Sequence, residues 1–211
     1  MSRAERFALA GALALILLQA AQAFAPQLGA ELEYRHAALA AQPWRVLTAH
    51  AIHINWPHAL VNAAAWVVVA RLFAQELAPV RQIVAGLASG VAISSGLALW
   101  YPQIAWYRGF SGVLHGLFFA GATVWLAQRL VARDAQRVQS VRMPGALALG
   151  GWVKVLLEQP GAGVTPYVAW LGATTVPQAH LLGAAFGTLF GLAVVVWHRS
   201  GVRPAARHQR E

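Results

Sequence analysis

Side chains suited to acyl-transfer chemistry interrupt three otherwise apolar segments of the chain. Ser111 and His115 occur in GFSGVLHG, and His180 occurs in AHLLGAAFG. A serine hydroxyl becomes a nucleophile when a neighbouring imidazole removes its proton, and the same imidazole can later protonate the leaving group. We therefore predict that Ser111 is a nucleophile and that His180 is its general base.

The third segment supplies hydrogen-bond donors for the negative charge that develops during acyl transfer. In HINWPHALVN, His58 and Asn62 are four residues apart and share one face of a helix. These side chains, together with the backbone N–H of Ser111, form the predicted oxyanion hole. No Asp or Glu occurs within the spans near His180, so we expect a Ser–His dyad and a structural role for Glu158.

The composition indicates the environment in which these residues act. Of the 211 residues, 58% are hydrophobic and 11% are charged, whereas soluble domains carry about 45–50% apolar and about 25% charged residues. This composition excludes an ordinary soluble enzyme and a disordered chain. The chain has no cysteine, which excludes disulfides and thiolate metal sites.

Six segments have the apolar character of membrane-spanning helices, which need about 20 residues. Their approximate bounds are 7–25, 56–73, 80–100, 109–130, 143–158 and 176–197. The sequence therefore predicts an all-α membrane protein in which residues 1–198 form one bundle of six transmembrane helices. Residues 199–211 are predicted to be a basic cytoplasmic tail.

The basic residues are distributed unevenly between the two ends of these spans. One side carries Arg3, Arg6, Arg71, Arg81, Arg129, Arg133, Arg137, Arg142, Arg199, Arg203, Arg207 and Arg210. The other side carries Arg35, Arg45 and Arg108, and Lys154 lies inside span five. Because basic residues concentrate on the cytoplasmic side, we predict that both termini are cytoplasmic. The net charge of +9 then reflects orientation in a membrane, and we expect no nucleic-acid partner.

The order of the spans brings the polar residues to one depth. Spans two, four and six run from the outer to the inner side, and each carries its polar residues near its start. Small residues on two of these spans share a face with them, namely Gly112 and Gly116 in span four and Gly183, Gly187 and Gly191 in span six. Because small residues let membrane helices approach closely, this packing would bring Ser111 within reach of His180.

The N-terminus allows a second interpretation. Arg3 and Arg6, an apolar run and Ala-Gln-Ala at 21–23 are also typical of a secretory signal peptide. Cleavage there would leave five spans in the same orientation.

The three polar segments resemble motifs of the rhomboid family of intramembrane serine proteases. The first resemblance is to a Trp-Arg pair followed by HxxxxHxxxN, carried here by Trp44, Arg45, His53, His58 and Asn62. The second is GFSG at 109–112, similar to GxSG, and the third is AHLLGAAFG at 179–187, similar to AHxxGxxxG. All three occur in order on alternate spans, so the resemblance covers about residues 44–191.

The resemblance implies an activity and a set of roles. Ser111 would be the nucleophile and His180 the base, His58, Asn62 and the Ser111 amide would form the oxyanion hole, and His53 would be structural. Rhomboids cleave other membrane proteins near the outer end of a transmembrane segment and need no cofactor or metal. The implied partners are transmembrane substrates and the lipid bilayer, with the site opening to the periplasmic side of a bacterial inner membrane. Nothing in the sequence indicates the oligomeric state.

Two departures from the family pattern point to one of its branches. His115 stands where rhomboids often have a tyrosine that stacks on the catalytic histidine, and the connection at 26–55 is brief. The compact size, SGVLHG and the Lys154/Glu158 pair resemble the rhombosortase branch. Those bacterial enzymes are thought to process proteins that end in a Gly-Gly motif, an apolar helix and a basic tail.

Three accessory residues have alternative roles. His115 could stack on or hydrogen-bond to His180, act as a second proton carrier, or fill the cavity as a polar residue. Lys154 and Glu158 are four residues apart and would neutralise each other, or they would help to read a substrate segment.

Two other functions fit parts of the sequence. A rhomboid-like protein that binds membrane proteins without cutting them would usually lack the serine or the last histidine, and both are present. A metal or haem site could draw on His53, His58, His115 and His180. The HExxH motif of zinc proteases is absent, and we expect no metal.

Overall fold

The computed structural model describes residues 1–131, 137–161 and 175–200, and most of them are helical. The helices are α1 (Arg3–Phe24), α2 (Pro26–Leu32), α3 (Arg45–Thr48), α4 (Trp56–Leu72), α5 (Pro79–Trp100), α6 (Ser111–Val131), α7 (Arg137–Leu157) and α8 (Pro177–Arg199). The strands are β1 (Tyr34–Arg35) and β2 (Trp106–Tyr107), and a 3₁₀ turn covers His36–Ala38. Most of the predicted basic tail, residues 201–211, lies outside the described residues, as does Arg133 in the link between spans four and five.

Each of the six predicted spans coincides with one long helix of the described chain, namely α1, α4, α5, α6, α7 and α8. Three of these, α1, α5 and α8, are long and apolar enough to cross a membrane by length and composition. Helix α4 has only 17 residues, and α7 contains Arg142, Pro144 and Lys154. The count of six spans therefore stays a prediction.

Local sequence determines where several helices begin. The Ser2 hydroxyl accepts a hydrogen bond from the N–H of Glu5, and the Glu5 carboxylate accepts one from the N–H of Ser2. The side chain of Asn55 caps α4 in the same way by accepting from the N–H of His58 at 3.0 Å. A proline lies in the first turn of α2, α4, α5 and α8, where its missing N–H costs no hydrogen bond. The cap at Asn55 positions His58 in the first turn of α4.

Helix α6 lies at the centre of the bundle. It contacts α4, α5, α7 and α8, and its contact with α8 is the most extensive between any two described elements. Helix α1 packs mainly on α4, where the indole N–H of Trp66 donates to the carbonyl of Ala8 at 2.8 Å and the ring covers Gly11. The residue at the start of α6, Ser111, is therefore held by a helix supported on several sides.

The connection between α1 and α4 is folded and contains β1, whose pairing with β2 is a small addition to the mostly helical chain that the sequence predicts. Strands β1 and β2 pair antiparallel, with Tyr34 opposite Tyr107. The buried guanidinium of Arg45 donates to the carbonyls of Ala30 at 2.8 Å and Glu33 at 2.6 Å. Residue-level alternation cannot reveal strands of two residues, and α2 and α3 are too short to show helical periodicity.

An ion pair ties this connection to the segment that leads into α6. The Glu33 carboxylate, whose side chain is only 4% exposed, accepts from Arg108 at 2.5 and 3.0 Å. Arg108 follows β2 directly and stands three residues before Ser111. The folded connection thus helps to fix the position of Ser111.

Large apolar side chains are exposed along the long helices. They include Leu9, Leu13 and Leu17 on α1, Val80 and Leu87 on α5, and Leu189, Val196 and Trp197 on α8. Soluble monomers rarely expose contiguous apolar surface of this extent, whereas helices that face lipid require it.

Candidate active site

Ser111 is the first residue of α6 and follows a turn that only glycine fits well. Gly109 has φ +134°, a conformation that L side chains rarely adopt, and a Cβ there would lie 2.6 Å from Cε1 of His58. The N–H of Gly109 donates to the carbonyl of Ala49 at 3.0 Å, and its carbonyl accepts from the Tyr107 hydroxyl at 2.6 Å. This turn brings the start of α6 against His58.

His180 lies in the first turn of α8, on the side that faces α6, and its ring reaches Ser111. Nε2 of His180 is 2.9 Å from Oγ of Ser111, a hydrogen-bond distance. The His180 side chain is 5% exposed. Sequence reasoning predicted that Ser111 and His180 would come within reach, and the structure brings them together.

Glycines at the contact between α6 and α8 make this approach possible. A Cβ on Gly183 would overlap the carbonyl of Gly112, and one on Gly187 would overlap the carbonyl of Gly116. A Cβ on Gly191 would lie 2.8 Å from the carbonyl of Ala120. The prediction that the two spans pack through their small residues is confirmed.

Glu158 contacts His180, which corrects the expectation that no carboxylate lies near this histidine. Oε2 of Glu158 is 3.0 Å from Nδ1 of His180, and the Glu158 side chain is 4% exposed. The sequence predicts a structural role for Glu158 and a pairing with Lys154, because the two are four residues apart on one helix. The contact with α8 is not local, since Glu158 and His180 are separated by 22 positions.

Lys154 and His115 extend this group of polar side chains. Nζ of Lys154 lies 2.9 Å from Oε1 of Glu158, as their spacing predicts, and 2.8 Å from Nε2 of His115. The rings of His115 and His180 are stacked, with centroids 4.3 Å apart and planes at 16°. Of the alternatives for His115, the geometry agrees with stacking on His180.

His58 and Asn62 share a cavity with Ser111 and His180. This cavity, of about 470 Å³, also borders His115 and Lys154, and its walls are mostly apolar residues of α4, α6 and α7. The side-chain amide nitrogen of Asn62 donates one hydrogen bond to the carbonyl of His58 at 2.9 Å. An amide nitrogen has two hydrogens, so Asn62 retains a donor for a group bound in the cavity.

A second cavity of about 300 Å³ lies beside the strands and also borders His58 and Ser111. Its other lining residues include Trp106 and Tyr107 of β2 and Arg108, which follows β2. Ser111 therefore lies where a mostly apolar cleft between helices meets a more polar opening beside β2.

His53 supports His58 and lies outside both cavities. It is fully buried, its ring meets that of His58 edge-on with centroids 5.2 Å apart, and its carbonyl accepts from Gln22 at 2.7 Å. Burial, followed by the charge of the neighbouring His58, lowers the pKa of His53 to about 3. The ring is therefore neutral at ordinary pH, as suits a packing role.

Three groups near His180 lie close enough together to surround a cation. Donor atoms of His115, Glu158 and His180 all lie within 4.8 Å of one another. The sequence suggested His53, His58, His115 and His180 as the possible ligands of a metal. Within the described part of the chain, His53 and His58 do not belong to this group, and Glu158 does. A metal ion there would compete with the ammonium of Lys154, which already bonds to both His115 and Glu158.

Sequence reasoning found most of the residues that line the site, and it missed the role of Glu158 as a neighbour of His180. One signal was available, because Glu158 is the only acid close to the outer end of a late span. It also missed Glu33, whose ion pair with Arg108 steadies the entry to α6, because Glu33 lies in a connection without a recognisable pattern.

Comparison with known proteins identifies the family. A family model described as the Rhomboid domain matches residues 40–197. None of the curated proteins compared with the chain matches it. Together with the apolar helices, the matched domain indicates a membrane protein. The chain therefore belongs to the rhomboid family, whose members are in general serine intramembrane proteases.

Proposed function

We propose that this protein is a serine endopeptidase that cleaves membrane-anchored proteins near the outer end of a transmembrane segment. The observation that carries the proposal is the 2.9 Å distance between Oγ of Ser111 and Nε2 of His180. This contact has the geometry of a nucleophile with its general base, and it lies in a cavity that is open between apolar helices.

In the first half of the reaction, Oγ of Ser111 attacks the carbonyl carbon of the scissile peptide while Nε2 of His180 takes the hydroxyl proton. The carbonyl oxygen becomes an oxyanion, which the N–H of Ser111 and the side chains of His58 and Asn62 stabilise. His180 then passes the proton to the leaving amine, the C–N bond breaks, and an ester of Ser111 remains.

In the second half, water replaces the amine. His180 takes a proton from the water as it attacks the ester carbonyl, and it returns the proton to Oγ of Ser111 when the C–O bond breaks. The products are a new carboxylate on the substrate and the free serine. The polar opening beside β2, lined by Arg108 and Trp106, supports a route by which water reaches the ester.

The mostly apolar cavity supports a transmembrane substrate. Val61, Ala65 and Val69 of α4 form one wall, and Phe119 and Gly151 contribute the opposite side. An apolar helix lying between α4 and α7 would bury its side chains there while it presents a bond at its end to Ser111. Lipid and the substrate segment are thus the proposed partners.

We assign the protein to the rhombosortase branch, with C-terminal tails that contain Gly-Gly, an apolar helix and a basic end as substrates. This assignment rests on the compact chain, the segment SGVLHG and the Lys154/Glu158 pair. The stacking of His115 on His180 is compatible with it, because a histidine can occupy the position where rhomboids often have a stacking tyrosine.

We propose a bacterial inner-membrane location with six spans in residues 1–198, a basic tail at 199–211 and both termini in the cytoplasm. The excess of arginine at one end of the spans supports this orientation. His58, Ser111 and His180 all lie near the starts of their helices, so the site would open on the periplasmic side.

Cleavage in membranes tests the proposal. The substrate is a reporter anchored by a Gly-Gly tail, and the enzymes are wild type, Ser111→Ala and His180→Ala. Ser95→Ala on an exposed position of α5 and His198→Ala at the far end of α8 are matched controls. We expect both site variants to insert but not to cleave, and both controls to cleave like wild type. Normal cleavage by Ser111→Ala would refute the mechanism.

The second candidate function is that of a rhomboid-like protein that binds membrane proteins without cutting them. It predicts that the wild type and Ser111→Ala capture the reporter equally and leave it intact. The Ser111–His180 contact argues against this candidate, because binding alone does not require a hydroxyl facing an imidazole nitrogen.

A further inference from the structure

We propose that Glu158 is a positioning residue for His180, so that the reacting group is a Ser111–His180–Glu158 triad. This inference rests on the proposed protease function and names a residue beyond the serine and histidine pair. It follows from the place of Glu158 on the side of the imidazole opposite the serine.

The two nitrogens of His180 have different partners. Nε2 lies 2.9 Å from Oγ of Ser111, and Nδ1 lies 3.0 Å from Oε2 of Glu158. The exposed fractions of the His180 and Glu158 side chains are 5% and 4%. The imidazole is thus held between a hydroxyl and a carboxylate, out of contact with most solvent.

An ionised carboxylate only accepts hydrogen bonds, so it selects the tautomer of the imidazole. With the proton on Nδ1 donated to Glu158, Nε2 carries the lone pair that faces Ser111. This is the tautomer that a general base needs. When His180 takes the serine proton, the adjacent carboxylate also stabilises the resulting imidazolium.

Lys154 supports the ionised form of Glu158. Its ammonium lies 2.9 Å from Oε1 and 3.1 Å from Oε2 of Glu158. An isolated carboxylate in an apolar site would tend to take up a proton, and the nearby positive charge opposes this. Lys154 therefore favours the ionised carboxylate of Glu158, which can accept a hydrogen bond from Nδ1 of His180.

Lys154 also determines the orientation of His115, which stacks on His180. An ammonium donates and cannot accept, so Nε2 of His115 must accept from Lys154 at 2.8 Å. The proton of neutral His115 is then on Nδ1, which donates to the carbonyl of Ser111 at 2.7 Å. Lys154 thus holds both neighbours of His180 in place. One is Glu158, which contacts Nδ1, and the other is His115, which stacks on the face of the ring.

Substitution of Glu158 by Gln tests this inference sharply. The amide has the same shape as the carboxylate, but its NH₂ group can donate to Nδ1 of His180. His180 would then carry its proton on Nε2, facing Ser111, and could not act as a base. We expect kcat for the Gly-Gly reporter to fall by about 10⁴-fold with KM within about threefold, by analogy with triads that lose their acid.

Two further variants separate positioning from folding. Glu158→Asp keeps the charge at a shorter reach and should retain more kcat than Glu158→Gln. Glu76→Gln makes the same chemical change at another buried glutamate, which follows α4 at the end of the bundle away from Ser111, and should leave kcat unchanged. Thermal unfolding in detergent checks that all variants fold.

Two readouts do not depend on the choice of substrate. Labelling of Ser111 by a fluorescent fluorophosphonate reports its nucleophilicity, and we expect the rate in Glu158→Gln to fall with kcat. Nitrogen-15 NMR of histidine-labelled wild-type protein should show the His180 proton on Nδ1, and this measurement stands even if Glu158→Gln does not fold.

The outcomes distinguish the inference from the proposed function. Labelling or cleavage that survives Ser111→Ala, or a wild type that neither labels nor cleaves, refutes the protease itself. A serine-dependent activity that Glu158→Gln lowers by less than about tenfold, or a proton found on Nε2 of wild-type His180, overturns the role of Glu158 alone. Loss of kcat in Glu158→Gln with partial rescue by Glu158→Asp supports the triad.

Discussion

Replacement of Gly183 by alanine should separate the two reacting side chains without removing either of them. A Cβ at Gly183 would overlap the carbonyl of Gly112, far inside the 3.4 Å at which ordinary contact begins. The obstacle is backbone and not a flexible side chain, so α8 must move away from α6. Gly183 is three residues from His180, and Gly112 adjoins Ser111.

The distances give the expected size of the effect. The contact between Ser111 and His180 is 2.9 Å, so a shift of about 1 Å would take it beyond hydrogen-bond range. Misplacement of reacting groups by about 1 Å can cost about 10²-fold in rate, and overpacking costs about 1–3 kcal/mol of stability. We therefore expect Gly183→Ala to lose about 10²-fold in kcat and to unfold at a lower temperature.

A graded series makes this prediction stricter. The Cβ of Gly191→Ala would lie 2.8 Å from the carbonyl of Ala120, which is a smaller overlap further from the serine, so its kcat should fall less. Gly150→Ala on α7 is the matched control, because a Cβ there has no atom within 4 Å. It should keep full activity, and since alanine favours helix by about 1 kcal/mol over glycine, it should not lose stability.

Cleavage of the Gly-Gly reporter in detergent gives kcat and KM, and thermal unfolding of the same samples gives stability. Gly183→Ala with kcat within twofold of wild type and an unchanged unfolding temperature would refute the argument. It would mean that the bundle takes up a methyl group at this contact without moving His180.

Substitutions at two other positions and a change of pH have defined outcomes. Asn62→Ala removes one predicted oxyanion donor and should lower kcat by about 10²–10³-fold, and an unchanged kcat would exclude Asn62 from the oxyanion hole. His115→Tyr keeps a ring to stack on His180 and should stay within about tenfold of wild-type kcat, whereas His115→Ala should lose more; equal losses would argue against stacking. Burial lowers the pKa of His50 to about 4 and, with the charge of His58, that of His53 to about 3. Because the unfolded chain takes up these protons first, the free energy of unfolding should fall as pH drops from about 6.5 to about 4, by up to about 1.4 kcal/mol per pH unit for each group. Unfolding temperatures that do not change between pH 7 and pH 5 would contradict this.

Much of the fold could be predicted from the sequence because lipid restricts the alternatives. A segment that crosses a bilayer must satisfy its backbone within itself, so a long apolar run is a helix. The predicted span at 80–100 accordingly matches α5 (Pro79–Trp100), and that at 176–197 matches α8 (Pro177–Arg199). The glycines of α6 and α8 also indicated their own contact, since four-residue spacing places Gly183 and Gly187 on one face with His180.

The connection at 26–55 followed no such rule. Its two short helices and the pairing of Tyr34 with Tyr107 depend on partners up to 73 positions away, and segments of two to seven residues carry no periodicity to read. The buried bonds of Arg45 to the carbonyls of Ala30 and Glu33 are likewise tertiary.

The residues of the site also fall into those that the sequence identifies and one whose contact only the tertiary structure shows. Residue type, spacing and the alternating direction of the spans sufficed to select His58, Asn62, Ser111 and His180, because each of these is a property of one segment and its order in the chain. The four-residue spacing of Lys154 and Glu158 indicates that these two side chains pair, but it does not indicate the contact of Glu158 with His180. This contact with Nδ1 of His180 depends on how the end of α7 meets the start of α8, and such a distance between separate helices is set only when the whole bundle packs.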